Sequence, residues 1–229
     1  MIFGKIDYIN LLPLHIFLKK QPLCNSFKQS IAYKKSYPSK LNEKLKKRQI
    51  DAAFISSVAS AQRGFKTINA GIVATKEVQS VLVKTGSYKQ DPHSATSNLL
   101  AKILKVEGEV VIGDRALKLY LAHPQDYTDL AKLWYEKYNL PFVFARLSTN
   151  KHYNFYKCIG EKFANQKIFI PYYILNNYAT QREIEAQDIK TYLKNLSYKI
   201  DAKANYSLKI FLRASRLFKA TNQIKENMT

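Results

Sequence analysis

The side chains best placed to do chemistry in this chain are uncharged. Asn10, Ser56, Ser57, Ser80, Ser94, Thr96 and Ser97 fall at the ends of apolar runs or at the starts of polar, helix-opening stretches. Hydroxyls and carboxamides beside the free amides of a helix N-terminus hold an anion by short charge-assisted hydrogen bonds, without bringing a second formal charge into the site. The chemistry such a set supports is the grip of a carboxylate. The same residues also have an ordinary use: Ser94 and Ser97 fit the cap of one helix, Ser56 and Ser57 that of another, and Asp114 after Gly113 that of the turn that follows. Asn10, an amide between Ile9 and Leu11, needs hydrogen-bond partners wherever it is buried.

Other chemistries lack their residues. His15, His93, His123 and His152 have no His-Glu-x-x-His spacing, and Cys24 and Cys158 are far apart in sequence, so no metal site is expected. Both cysteines read as buried, small apolar side chains. Seven glycines provide neither a phosphate-cradling loop nor a dinucleotide fingerprint, and no cofactor is expected. Ser56, Ser80 and Ser94 sit in no Gly-x-Ser-x-Gly elbow.

The elements that must position the polar set follow an α/β pattern. Residues 2 to 9 alternate as a strand, with Asn10 at its carboxyl end and Pro13 opening a short helix. Ser39 reads as the cap of a helix running to Arg48, followed by a strand over 52 to 55 that runs into Ser56 and Ser57. Extended segments over 68 to 75 and 78 to 83 cross between two lobes. A polar loop at 91 to 97 leads into a helix over 98 to 106, and a strand over 110 to 112 ends at Gly113 and Asp114. Helices are expected over 129 to 138, 151 to 166, 189 to 195 and 204 to 220, with a strand over 142 to 145. Ligands of open α/β sheets bind at the carboxyl ends of the strands, where the neutral groups cluster.

Composition bounds the partners. A chain of 229 residues, 46% hydrophobic and 13% aromatic, buries a sizeable core. No run reaches the roughly 18 apolar residues of a membrane span. The formal charge of +20 is scattered along the chain and comes with no nucleic-acid-binding motif, so neither nucleic acid nor membrane is expected as a partner. The chain starts at Met1 with no export signal in front of the first strand, and the cytoplasm is the expected compartment. A monomer or a homodimer fits this size.

Several segments in order resemble the chorismate dehydratase family of the futalosine route to menaquinone. They are Tyr8 to Leu14, Ile112 to Leu117, Asp129-Leu130 to Trp134 followed by Leu140 to Ala145, and Tyr192-Leu193 with Leu196 to Tyr198. The resemblance implies a periplasmic-binding-protein type II fold of two α/β lobes around a cleft. Residues 1–80 with 181–229 would form one lobe, and 81–180 the other. It also implies loss of water from chorismate to give 3-[(1-carboxyvinyl)oxy]benzoate, without a cofactor. By position, Asn10 and Ser80 take the catalytic places and Ser94, Thr96 and Ser97 match a hydroxyl-rich loop that holds a substrate carboxylate; Ser56, Ser57, Asp114 and Phe144 are further expected substrate contacts. Arg115 and the loop Asp91-Pro92-His93 depart from the family pattern, which makes His93 a possible extra contact.

Two other classes fit parts of the same sequence. A 1,4-dihydroxy-6-naphthoate synthase of the same pathway shares the fold but is expected to use a histidine, and Phe142-Val143-Phe144-Ala145 has none at that strand. A non-catalytic receptor for a small carboxylate shares the fold but is normally exported.

Overall fold

The computed structural model describes residues 1–33, 36–86, 89–92 and 94–226, with the side chains of 32, 33 and 222–226 left out. His93 lies outside the described residues. In chain order the elements are β1 (Phe3–Gly4), a 3-10 turn (Ile9–Leu11), α1 (Leu12–Lys20), α2 (Asn25–Tyr33), α3 (Pro38–Lys46), β2 (Ala52–Ser56), α4 (Ser57–Ser60), β3 (Lys66–Ala74) and β4 (Val81–Lys84). They continue as α5 (Ala95–Leu104), β5 (Glu109–Ile112), α6 (Gly113–Ala122), a second 3-10 turn (Pro124–Asp126), β6 (Tyr127–Asp129), α7 (Leu130–Tyr138) and β7 (Phe142–Thr149). The C-terminal third holds α8 (Tyr153–Ala164), α9 (Tyr172–Arg182), α10 (Ala186–Lys194), β8 (Leu196–Lys199) and α11 (Ala202–Glu226).

The strands form two sheets. One has the order β1-β2-β7-β3-β8, the other β5-β4-β6. In the five-stranded sheet only β1 and β2 pair in parallel, and β7 runs antiparallel to both β2 and β3. The strand Phe142–Thr149, expected in the second lobe, is therefore central to the first sheet, and the chain re-enters that sheet near residue 142 rather than near 180. Its sequence explains the position. Phe142 to Ala145 and Leu147 to Thr149 are buried on both faces, as a middle strand requires.

Local chemistry explains other departures from the sequence reading. The first strand is only two residues long, because Asp7 and Ile9 give their backbone groups to side chains of other elements. Arg182 donates to the Asp7 carbonyl at 2.9 Å, and the Ile9 amide donates to Asp114 at 2.8 Å. Helix α3 starts at Pro38, whose fixed φ and missing N–H suit a first helical position, so Ser39 is not its cap. Helix α5 starts three residues earlier than expected. Ser94 caps it, its Oγ accepting from the Ser97 amide at 3.2 Å.

Asp129, buried at the start of α7, accepts from four backbone amides: Ala131 and Lys132 of its own helix, and Val78 and Gln79 of the crossing segment. This one side chain ties the crossover to the second sheet. Trp134 on the same helix packs edge-on against Phe142 and Phe211, with its Nε1 donating to Ser207 at 2.9 Å. The indole thus joins α7, β7 and α11 in one apolar contact, worth roughly 2–3 kcal/mol by burial alone. Cys24 and Cys158 are free and exposed rather than buried. Cys24 directly precedes α2, and on α8 it is Tyr156, Gly160 and Phe163 that turn inward.

Candidate functional site

The cavity between the two sheets forms where four elements end together. The 3-10 turn at Ile9–Leu11 brings Asn10, the end of β2 brings Ser56, and the bend before β4 brings Ser80. The start of α5 adds Ser94 and Ser97, and β7 adds Phe144 as an apolar wall. Ile6, Phe54, Ile72 and Val81 complete much of the rest. The enclosed space is about 60 Å³, room for a few water molecules. Among the described residues, those lining it carry no formal charge, although the chain as a whole carries +20.

The register of the second sheet sets the far wall. Val81 pairs with Ile112, and the Gly113 amide donates to the Ser80 carbonyl at 2.9 Å. Gly113 has φ +72, and a Cβ there would come within 2.9 Å of the Tyr8 ring. A left-handed conformation and the close ring both require glycine. Tyr8 thus lies flat on the start of α6 and lines the cavity. Burial, with Asp91 and Asp114 nearby, pushes its phenol up to about 12 and keeps it a neutral hydrogen-bonding group at any physiological pH.

Six of the nine expected residues meet here: Asn10, Ser56, Ser80, Ser94, Ser97 and Phe144. The other three do not line the cavity. Ser57 donates to the Val143 carbonyl and is fully buried in the contact between α4 and β7. Thr96 accepts from the Val58 amide at 3.2 Å, tying α5 to α4. Asp114 accepts from Ile9 and from Arg182 Nε at 2.6 Å, so it braces the cavity wall from behind. A hydroxyl or carboxylate at a helix start can satisfy the helix or a neighbouring chain as readily as a ligand, and sequence spacing does not separate those uses.

Three groups at the site had no signal in the strand-end pattern. Asn42 on α3 brackets Ser56, its Nδ2 donating to Ser56 Oγ and its Oδ1 accepting from the Ser56 amide, both at 3.3 Å. Tyr198 on β8 donates to the Asn10 carbonyl at 2.5 Å. Tyr192 on α10 hydrogen-bonds Ser80 Oγ at 2.9 Å. Tyr192 falls within the helix expected over 189 to 195 and Tyr198 just past it, and helical periodicity carries no signal for where a hydroxyl ends. Burial pushes both phenols above their usual range.

A two-sheet α/β protein with an uncharged cavity at the crossover falls in the class of the periplasmic-binding-protein-like folds. A conserved Candida albicans gene product, described as having the generic periplasmic binding protein structural fold, superposes with a TM-score of 0.54 at 11% identity, over 94% of this chain and 89% of its own. A crystal structure of an Archaeoglobus fulgidus protein superposes with a TM-score of 0.69 at 12% identity, over 95% of this chain and 97% of its own.

The family is narrower than the fold. A family model described as menaquinone biosynthesis matches residues 1–109 and 104–216. Chorismate dehydratase of Campylobacter jejuni subsp. jejuni serotype O:23/36 (strain 81-176) is 55% identical over 218 residues, which are 94% of this chain and 98% of that protein. The chain belongs to the menaquinone biosynthesis family and is a homologue of chorismate dehydratase.

Proposed function

We propose that this protein is a hydro-lyase that converts chorismate to 3-[(1-carboxyvinyl)oxy]benzoate and water. The observation that carries the reading is the uncharged, largely apolar cavity edged by Asn10, Ser80, Ser94 and Ser97, in a chain 55% identical to a chorismate dehydratase. Apolar walls such as Phe144 and Ile112 suit the cyclohexadiene ring, and the hydroxyls suit its carboxylates.

The reaction asks little of a protein base. The proton lost sits on the ring carbon bearing the enolpyruvyl ether, where conjugation through the ring to the carboxylate acidifies it. Its electron pair becomes part of the aromatic ring as hydroxide leaves the neighbouring carbon. Among the described residues that line the cavity there is no Asp, Glu or His. The acceptor in this reading is the substrate's own side-chain carboxylate, which passes the proton to the departing hydroxide, so that one water leaves and the carboxylate is regenerated. Ser94 and Ser97 at the start of α5 hold the ring carboxylate and stabilise charge that grows on it as the proton leaves. Asn10 and Ser80 orient the hydroxyl and the ether.

The cavity lies between the two sheets, so that in this reading a movement of one sheet against the other opens and closes it around the substrate. Closure strips water from the anions and strengthens every hydrogen bond to them. We place the enzyme in the cytoplasm, a reading supported by two free, exposed cysteines that an oxidising compartment would not favour.

The test is incubation of purified protein with chorismate while the aromatic product is followed by ultraviolet absorbance and proton NMR. Stoichiometric appearance of the product supports the reading. Saturable binding of chorismate with no loss of water would replace it with a carboxylate receptor.

A further inference from the structure

Ser56 closes β2, is 5% exposed and lines the cavity. Both bonds at its hydroxyl oxygen are ones it receives. Asn42 Nδ2 donates to Ser56 Oγ, and so does the Ala59 amide, each at 3.3 Å. The direction of the first bond is set by the main chain. The Ser56 amide can only donate, and it reaches Asn42 Oδ1 at 3.3 Å, so the NH2 end of the same carboxamide is the end that meets the hydroxyl.

A hydroxyl oxygen has two lone pairs, and at Ser56 both are taken, which leaves one proton to give. Ser57 and Ser60, the next hydroxyls along the chain, spend theirs on the carbonyls of Val143 and Ser57 at 2.5 and 2.8 Å. The Ser56 proton has no acceptor among the described residues, and the open space beside it is the cavity. A buried donor is costly to leave unpaired, so a ligand oxygen is its natural partner. Resting on the reading of chorismate as substrate, that oxygen belongs to a carboxylate, which offers lone pairs and no competing proton.

We propose that Asn42 is a positioning residue: by filling the acceptor side of Ser56 Oγ, it makes that hydroxyl a donor to a substrate carboxylate. Asn42 is not part of the cavity lining and acts through Ser56. The charge that Ser56 meets is already present when the substrate binds. Loss of the donor therefore falls on KM more than on kcat.

The variant Asn42→Asp keeps the size of the side chain and an oxygen for the Ser56 amide, but puts an acceptor where the NH2 group was. The Ser56 proton then turns to the new carboxylate and is lost to the cavity. The expected result is a rise in KM for chorismate of roughly tenfold with kcat within about threefold, matched by Ser56→Ala. The double variant should be no worse than Ser56→Ala, since both changes remove the same donor. Asn42→Ala takes away the bracket without supplying an acceptor, so it should raise KM by an intermediate amount, about threefold. Calorimetric titration with chorismate should give Kd values in the same order. Losses that add in the double variant mean that N42D acts through its charge or through the fold, and they overturn the assignment. So does a Ser56→Ala or an Asn42→Ala enzyme with unchanged KM and Kd, a result that stands even where N42D fails to fold. A parent protein that binds chorismate, with Kd values following this order across the variants, yet releases no water instead overturns the reading of the reaction.

Discussion

Two clusters share the segment Asp7 to Asn10 and are built in opposite ways. On one side Asp114 accepts from the Ile9 amide and the Arg182 guanidinium, Arg182 donates to the Asp7 carbonyl, and the guanidinium lies over the Tyr178 ring at 4.2 Å. On the other side Tyr8 and Asn10 face a cavity whose lining carries no formal charge. Charge is thus used where it holds elements together and kept out of the place proposed for a dianion. A guanidinium there would bind the substrate and product carboxylates equally well, lowering KM without favouring the transition state. Neutral donors at the start of α5 strengthen as charge moves onto the ring carboxylate, which is the difference that accelerates a reaction.

The largest expected break in this contrast comes from putting charge into the neutral cluster. Asn10→Asp replaces the carboxamide by an isosteric carboxylate facing a dicarboxylate. Repulsion between that carboxylate and those of the substrate should lower kcat/KM by about 10³-fold or more. Steady-state kinetics with chorismate measure it, and a melting temperature within a few degrees of the parent shows that the fold survives. Activity within tenfold of the parent would remove Asn10 from the proposed machinery.

Taking charge out of the other cluster should act on stability. Arg182→Met leaves the part-buried Asp114 carboxylate with only the Ile9 amide, at a cost of about 1–3 kcal/mol. The pH dependence follows from the direction of the Asp114 shift. Burial raises its carboxyl above the ordinary 3.8, despite the opposing pull of the Ile9 amide and Arg182. The folded protein therefore holds a proton that the unfolded chain has already lost, and the stability this group contributes is complete below its ordinary value and lost as pH rises through the folded one. Without Arg182 the folded value rises further, so the deficit of the variant should widen from about pH 4 towards neutrality. Chemical denaturation at a series of pH values measures the gap. A deficit that narrows as pH rises contradicts this account.

A smaller effect separates residues that line the cavity from those beside it. Ser94→Ala removes both the α5 cap and a cavity hydroxyl, and should cost about 1 kcal/mol of stability while raising KM roughly tenfold. Thr96→Val removes only the acceptor of the Val58 amide, so stability should fall by a similar amount with KM unchanged. If the two variants shift KM alike, the assignment of Ser94 to the lining and Thr96 to the scaffold fails.

How much of this was legible in the sequence depended on range. Pro13, the spaced apolar positions over 129 to 138 and the apolar run at 142 to 145 marked their elements because the signals are local: a fixed φ, a helical period, a short apolar strand. The cavity was half legible, since residues at strand ends are brought together by any open α/β sheet, and Asn10, Ser80 and Ser94 met as that rule implies. Ser57 and Thr96 obeyed the same local rule but spent their hydroxyls on Val143 and Val58, choices set by packing between α4, α5 and β7. The placement of β7 escaped because an apolar run identifies a strand and not its neighbours. The hydroxyl contacts of Tyr192 and Tyr198 escaped because apolar periodicity, in α10 or in β8, reads the ring and says nothing about where the hydroxyl ends.

The smallest effect concerns the rim of the charged cluster. Lys118 on α6 pairs with Glu183, the residue just past α9, and both side chains stand in solvent. The hydrogen bond and charge of Lys118 hold the Glu183 carboxyl below its ordinary value. A depressed acid contributes stability that is present above its unfolded value and lost as pH falls through the folded one. Water and salt screen an exposed pair, so Glu183→Gln should lower the melting temperature by no more than about a degree or two at neutral pH and low salt. The difference should vanish in high salt and again once the pH drops below the depressed value. That behaviour differs from Arg182→Met, whose deficit shrinks in acid because Asp114 gains a proton and is less sensitive to salt because the pair is largely shielded from solvent. A Glu183→Gln deficit as large and as salt-resistant as that of Arg182→Met would mean that the rim bears the same load as the part-buried pair, and the division drawn between them would not stand.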